Sequence, residues 1–143
     1  MAKSYWLMKS EPDAYGWDDL VEEGEGTWDG VRNYTARNNL RAMAKGDEAF
    51  FYHSNIGLEI VGIVRVSKPG FQDPSDPTGT WTSVKVKPVK KLKRPVTLQE
   101  MKADPALAGM ELVTKFRLSV SAVTPQEWKH IIALSRRKVP VPR

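Results

Sequence analysis

Between Glu48 and Leu92 the chain shows three strand patterns in succession with no helical pattern between them. Consecutive strands joined by turns pair side by side and antiparallel, so this stretch alone restricts the fold to a sheet with an antiparallel centre. Residues Glu48 to Ser54 alternate, with Ala49, Phe51 and His53 on one side and Phe50, Tyr52 and Ser54 on the other. Leu58 to Val66 reads as a second strand that can form a hairpin with the first; Gly62 inside it predicts a bulge, a bend or a close backbone approach. Lys68 to Gly79 contains Pro69, Pro74 and Pro77 with two glycines and is expected to be an irregular loop. A third strand follows from Trp81 to about Leu92, with valines at 84, 86 and 89. Strict strand-helix alternation and a glycine-rich nucleotide loop are both absent from the sequence, which argues against a Rossmann sheet.

The flanking segments supply helices and further strands. Tyr5 to Met8 is a buried first strand that ends at Lys9-Ser10, where Pro12 blocks continuation. A short helix is predicted over Asp18 to Glu22, ended by Gly24, and Trp28-Asp29-Gly30 reads as a turn. Asn33 can cap a helix from Tyr34 to about Ala44, on which Ala36, Leu40 and Met43 face inward, Arg37 and Arg41 share a face, and Gly46 is the stop. The last third echoes itself, Val96-Thr97-Leu98-Gln99-Glu100-Met101-Lys102 against Val123-Thr124-Pro125-Gln126-Glu127-Trp128-Lys129. In each, Thr caps a helix, Glu three residues on completes a capping box, and the preceding Val staples onto Met101 or Trp128. A short helix near Pro105 to Gly109 and a strand from Phe116 to Val120 are expected between them. The expected fold is α+β, a small barrel of about five to six strands with peripheral helices, and its 143 residues form one domain. At this length folding hides about 70% of the unfolded surface, and 41% hydrophobic residues suffice for such a core.

Composition removes several classes of chemistry. With no cysteine there is no disulfide, thiolate nucleophile or cysteine zinc site, and His53 and His130 alone cannot build a three-histidine metal centre. The longest apolar run, Ile60 to Val64, is far too short to cross a membrane. The first residues show no secretion signal, so a cytoplasmic or nuclear setting is expected, without cofactor or metal and as a monomer. Lysine and arginine number 22 against 17 acidic residues, which favours polyanion partners. The charges are segregated along the chain: eight acids and no base from Glu11 to Asp29, six bases and no acid from Lys85 to Arg94. An acidic and a basic region are expected from this. Arg32, Arg37, Arg41 and Lys45 make a second basic group, and Arg136, Arg137, Lys138 and Arg143 a third, read as a frayed tail.

Asn33 and Tyr34 with Arg32 and Arg37 join a helix N-terminus, a planar aromatic and two guanidiniums, the parts that hold a phosphate and stack a base. Tyr34 equally suits the edge of the core. Trp28 offers an indole NH and a flat face to a base, or simply packs. His53 beside Ser54 is either an acid-base pair or a structural histidine in a strand. Lys9 beside Ser10 has the residue types of a serine-lysine nucleophile, although neighbours on a strand point to opposite faces.

Several of these strings, in this order, resemble one family. Tyr5-Trp6-Leu7-Met8-Lys9-Ser10-Glu11-Pro12, Trp28-Asp29-Gly30-Val31-Arg32-Asn33-Tyr34, Ala36-Arg37-Asn38-Asn39-Leu40, Lys45-Gly46-Asp47, Phe51-Tyr52-His53-Ser54-Asn55 and Trp81 are similar to the signature of the EVE domain. The resemblance implies a PUA-like barrel shared with YTH and ASCH domains. It also implies a non-enzymatic reader of nucleic acid, DNA with modified cytosine foremost, that takes a flipped base into a pocket at the barrel mouth. Ser10, Trp28, Asp29, Asn33, Tyr34, His53, Ser54, Phe71 and Trp81 are then the expected base-pocket residues. Lys9, Arg32, Arg37, Lys85, Lys87, Lys90 and Lys91 are the expected phosphate contacts. The family pattern is broken at Phe71-Gln72, where Tyr-Pro is usual, and at Phe116, which replaces a polar residue. An ASCH-like amidohydrolase using Lys9, Ser10 and Glu11, and a protein-interaction domain, are the alternative functions.

Overall fold

The computed structural model describes residues 3–137; Lys138 and Arg143 of the C-terminal basic group lie outside them. Six strands, β1 (Tyr5–Ser10), β2 (Gly26–Trp28), β3 (Glu48–His53), β4 (Glu59–Gln72), β5 (Thr82–Thr97) and β6 (Val120–Val123), form one sheet in the order β2-β5-β4-β3-β1-β6. The β3-β4-β5 centre is antiparallel as expected, while β1 lies parallel to β3 and antiparallel to β6. Edge strands β2 and β6 share no ladder among the described residues, so hydrogen bonds do not close the expected barrel.

Period-two alternation sorts the side chains of this sheet onto two apolar clusters. Trp6 and Met8 of β1 with Ala49 and Phe51 of β3 belong to one, under helices α2 (Trp17–Glu23) and α3 (Tyr34–Ala42) through Trp17, Leu20, Ala36 and Leu40. Leu7, Phe50 and Tyr52 belong to the other, covered by α4 (Leu98–Ala103), α5 (Glu111–Thr114) and α6 (Pro125–Ser135) through Met101, Leu112, Trp128 and Ile131. Trp128 stacks on Phe50 at 3.9 Å and on Tyr5 at 4.4 Å between ring centroids. Val96 with Met101, and Val123 with Trp128, sit together in this second cluster, where the expected staples place them.

Local chemistry explains most boundaries. Asn33 Oδ1 accepts from the Ala36 amide at 2.9 Å and starts α3. The capping box at α6 is complete: the Glu127 amide donates to Thr124 Oγ1 at 3.1 Å, and the Thr124 amide to Glu127 Oε1 at 2.9 Å. At α4 the box is only half made. Thr97 Oγ1 accepts from the Glu100 amide at 3.1 Å, but the Glu100 carboxylate takes a two-pronged ion pair from Arg94 at 2.8 and 2.7 Å. A guanidinium fork outcompetes a single backbone amide for a carboxylate.

Other expectations are corrected. The stretch read as a loop from Lys68 is strand as far as Gln72, because register shifts between Val66 and Phe71 let the ladder bypass Pro69 and Gly70. β5 continues beyond Leu92 to Thr97, carrying Pro88 and Pro95 through shifts of the same kind. Phe116 to Ser119 is not strand; the last strand begins at Val120, after α5, a four-residue helix with no caps for periodicity to reveal. A short helix α1 (Pro12–Tyr15) precedes α2 with Pro at its start. Gly62 meets two expectations at once: it lies at a register shift, and a Cβ there would sit 2.4 Å from the Trp17 ring.

Candidate functional site

β1 ends at Ser10, and the chain turns at once into α1, leaving a cavity of about 660 Å³ between that strand end, α1 and the segment after β2. Lys9, Ser10, Tyr15, Trp28, Asp29 and Arg32 line it. A volume of this size falls in the range that small ligands occupy. Trp28 is buried and fixed by edge-on contacts to Phe51 at 5.5 Å and to Tyr15 at 6.4 Å, so it makes a rigid wall. Ser10 Oγ donates to the Tyr15 carbonyl at 2.5 Å, which leaves its lone pairs as acceptors. Lys9 is half-buried, its ammonium donating to the Phe116 carbonyl and lying 4.7 Å from the Phe116 ring centroid; burial lowers its pKa. Lysine and serine are thus bonded to separate carbonyls, and no hydrogen bond joins them.

One buried carboxylate organises the rim. Asp73 Oδ2 accepts from the Gly30 amide at 2.8 Å and from Arg32 Nη1 at 2.9 Å, while Oδ1 accepts from the Ser75 amide and hydroxyl at 2.7 and 2.6 Å. Burial alone would raise its pKa, but the Ser75, Arg32 and Gly30 donors outweigh that and hold it at about 2. Gly30 has φ 76°, a left-handed turn that presents its amide to Asp73 and carries the chain from the Trp28 wall to Arg32. Asp73 and Tyr15 were not among the expected site residues. The Asp73-Pro74-Ser75 string is a side-chain turn signal that could have pointed to the first; nothing local marks Tyr15.

Three of the expected residues gather outside the cavity. Tyr34, 61% exposed, packs against Trp81 with ring centroids 5.0 Å apart, and the Arg37 guanidinium lies 4.9 Å from the Tyr34 centroid. Arg32 lies 5.5 Å from the Trp81 centroid and so borders both the cavity and this aromatic pair.

The family model of the EVE domain matches residues 4–134. This chain belongs to the EVE domain family. It is 39% identical to mouse thymocyte nuclear protein 1, an alignment that covers 92% of this chain and 73% of that protein. The solution structure of Rpa0253 from Rhodopseudomonas palustris is 46% identical with a TM-score of 0.88, covering 92% of each chain. Human THYN1, solved in complex with DNA containing 5-methylcytosine, is 34% identical with a TM-score of 0.87, covering 96% of this chain and 100% of that one.

In this EVE domain the remaining expected residues are dispersed. Asn33 spends its side-chain oxygen on capping α3. His53 lines a separate groove of about 450 Å³ with Asp18, Glu59 and Lys91, and its Nε2 accepts from the Trp17 amide at 3.2 Å. Burial lowers its pKa, with Glu59 and Asp18 pulling the other way. Ser54 follows at the end of the same strand, its amide donating to the Ser10 carbonyl at 2.9 Å. Phe71 borders a third depression with Arg41 and Trp81, and Lys68 lies 4.6 Å above its ring. The acidic and basic stretches meet at two places, Glu25 beside the β5 lysines and Asp18 in one groove with Lys91. Pairing of β2 with β5 brings Glu25 near the β5 lysines; the Ser67 hydroxyl, donating to it at 2.6 Å, is the main cause that holds its carboxyl below the usual range, with Lys85, Lys87 and Lys68 adding to it. Lys90 and Lys91 are exposed further along β5, opposite Ile63 and Gly62.

Proposed function

We propose that this EVE domain is a non-enzymatic reader of DNA carrying modified cytosine, and that the cavity at the end of β1 receives the modified base after extrusion from the duplex. The observation that carries this reading is the cavity itself: a rigid indole wall at Trp28, acceptor groups at Ser10 and Asp29, and cations at Lys9 and Arg32. The complex of human THYN1 with DNA containing 5-methylcytosine supports the choice of partner. Flipping a base costs a few kcal/mol, and stacking returns roughly 1–3 kcal/mol per base, so cavity and phosphate contacts are needed together. A reader is favoured over a serine-lysine hydrolase because Lys9 and Ser10 are each engaged by a different backbone carbonyl.

Titration calorimetry with two duplexes that differ in one cytosine methyl group tests the reading. The methylated duplex is expected to bind more tightly, and Trp28→Phe and Ser10→Ala to reduce that preference while weakening the unmodified duplex less. A preference that persists in both folded variants would place recognition elsewhere.

A further inference from the structure

Tyr34 leaves most of its ring in water beside the half-buried Trp81, and both are held firmly in place. Every backbone group around Trp81 is pinned. Its amide donates to Asp76 Oδ2 at 2.8 Å and its carbonyl accepts from the Asp73 amide at 3.0 Å. The preceding Thr80 carbonyl accepts from Arg37 Nη1 at 3.3 Å and Arg41 Nη2 at 3.0 Å, and Arg41 Nε also donates to Thr82 Oγ1 at 2.8 Å. Arg37 is steadied by Asn38 Oδ1 at 3.0 and 3.2 Å, and no acidic side chain pairs with it among the described residues. Arg32, anchored by Asp73 and Ser75, closes the other side. The result is a preorganised stacking surface, bordered by two guanidiniums of which one carries an uncompensated charge.

Rings tilted by 33° with cations beside them match the chemistry of a nucleobase and its phosphate, since every base has a π-face and the phosphate is an anion. A neutral apolar partner would gain nothing from Arg37. We propose that the Tyr34–Trp81 surface is a second nucleotide site, which stacks an unpaired base next to the one drawn into the cavity and takes its phosphate on Arg37. The proposal rests on the nucleic-acid reading of the neighbouring cavity, with Arg32 as the residue common to both. Extruding one base strips its neighbours of a stacking partner, and an aromatic surface at the rim replaces part of that loss.

The test uses fluorescence anisotropy of a labelled oligothymidylate and of a sugar-phosphate oligomer of equal length that lacks bases. The intact protein is expected to bind the oligothymidylate more tightly than the abasic oligomer. Tyr34→Leu should weaken oligothymidylate about tenfold and the abasic oligomer little, and Tyr34→Phe should restore binding, because a ring is what the base needs. Arg37→Gln should weaken both oligomers alike. The site is overturned if the intact protein does not distinguish the two oligomers, or if folded Tyr34→Leu loses both equally or neither. The two readings fail separately. Discrimination of bases without any preference for a methylated duplex would sink the cavity reading alone; methyl preference without base discrimination would sink this one.

Discussion

Asp73 is a buried carboxylate whose four donors come from a turn, a glycine amide and an arginine, two on each oxygen, and an amide in its place leaves one of those pairs facing an NH2 group with no acceptor. Its folded pKa of about 2 lies below the ordinary 3.8, so its contribution is fully present above about pH 4 and is lost as pH falls toward about 2. Urea unfolding should therefore show roughly 2 kcal/mol less stability in Asp73→Asn than in the native chain at neutral pH, a gap that closes in acid. A constant gap across that range would mean that packing, not charge, is what Asn lacks. At Gly62 the cause is volume: Gly62→Ala drives a methyl into the Trp17 ring, and an overpacking cost of about 1–3 kcal/mol is expected in the same assay. The sequence shows that Gly62 is special. That its neighbour is Trp17, 45 positions earlier by subtraction of their numbers, belongs to the fold.

Among elements, α4 and α6 share the Thr cap and the Glu three residues on, yet end up held differently. α6 keeps both arms of its capping box, so Thr124→Ala should cost about 1 kcal/mol by thermal or urea unfolding. At α4 the Glu100 carboxylate belongs to Arg94, half-buried on β5, and Arg94 also donates to the Arg137 carbonyl at 2.7 Å. Glu100→Gln should hence cost more than Glu127→Gln, because it leaves the half-buried guanidinium without its counter-ion. Equal losses would mean that both glutamates act as caps. Helix starts were legible because a cap is local, side chain to backbone within three residues. The length of β4 and β5 was not, because prolines that end an isolated strand are tolerated where bulges carry them past the ladder.

For the whole molecule, charge counted along the chain misleads about charge in space. The β5 lysines share their surroundings with Glu25 and Glu59, whereas Lys9, Arg32 and Arg37 gather about the cavity and its rim. DNA affinity is expected to fall with salt, about 0.9 in log–log slope for each duplex phosphate contacted, and Arg37→Gln should lower that slope by about one contact. Replacing Lys90 and Lys91 should weaken methylated and unmodified duplexes alike, since backbone contacts carry no base information. A salt-independent affinity would remove phosphate contacts from the account altogether. What the sequence determined by itself is what short-range physics controls: the alternation of β3, the Asn33 and Thr124 caps, the end of β1 at Ser10, and a family signature dense enough to name the fold. Tertiary structure alone decided which of those residues meet. Trp28 and Ser10 line one cavity although β5, β4 and β3 stand between their strands in the sheet, Tyr34 and Trp81 pair outside it, and His53 is turned to another groove. Such neighbours are chosen by long-range pairing and close packing, which leave no periodic trace in the chain.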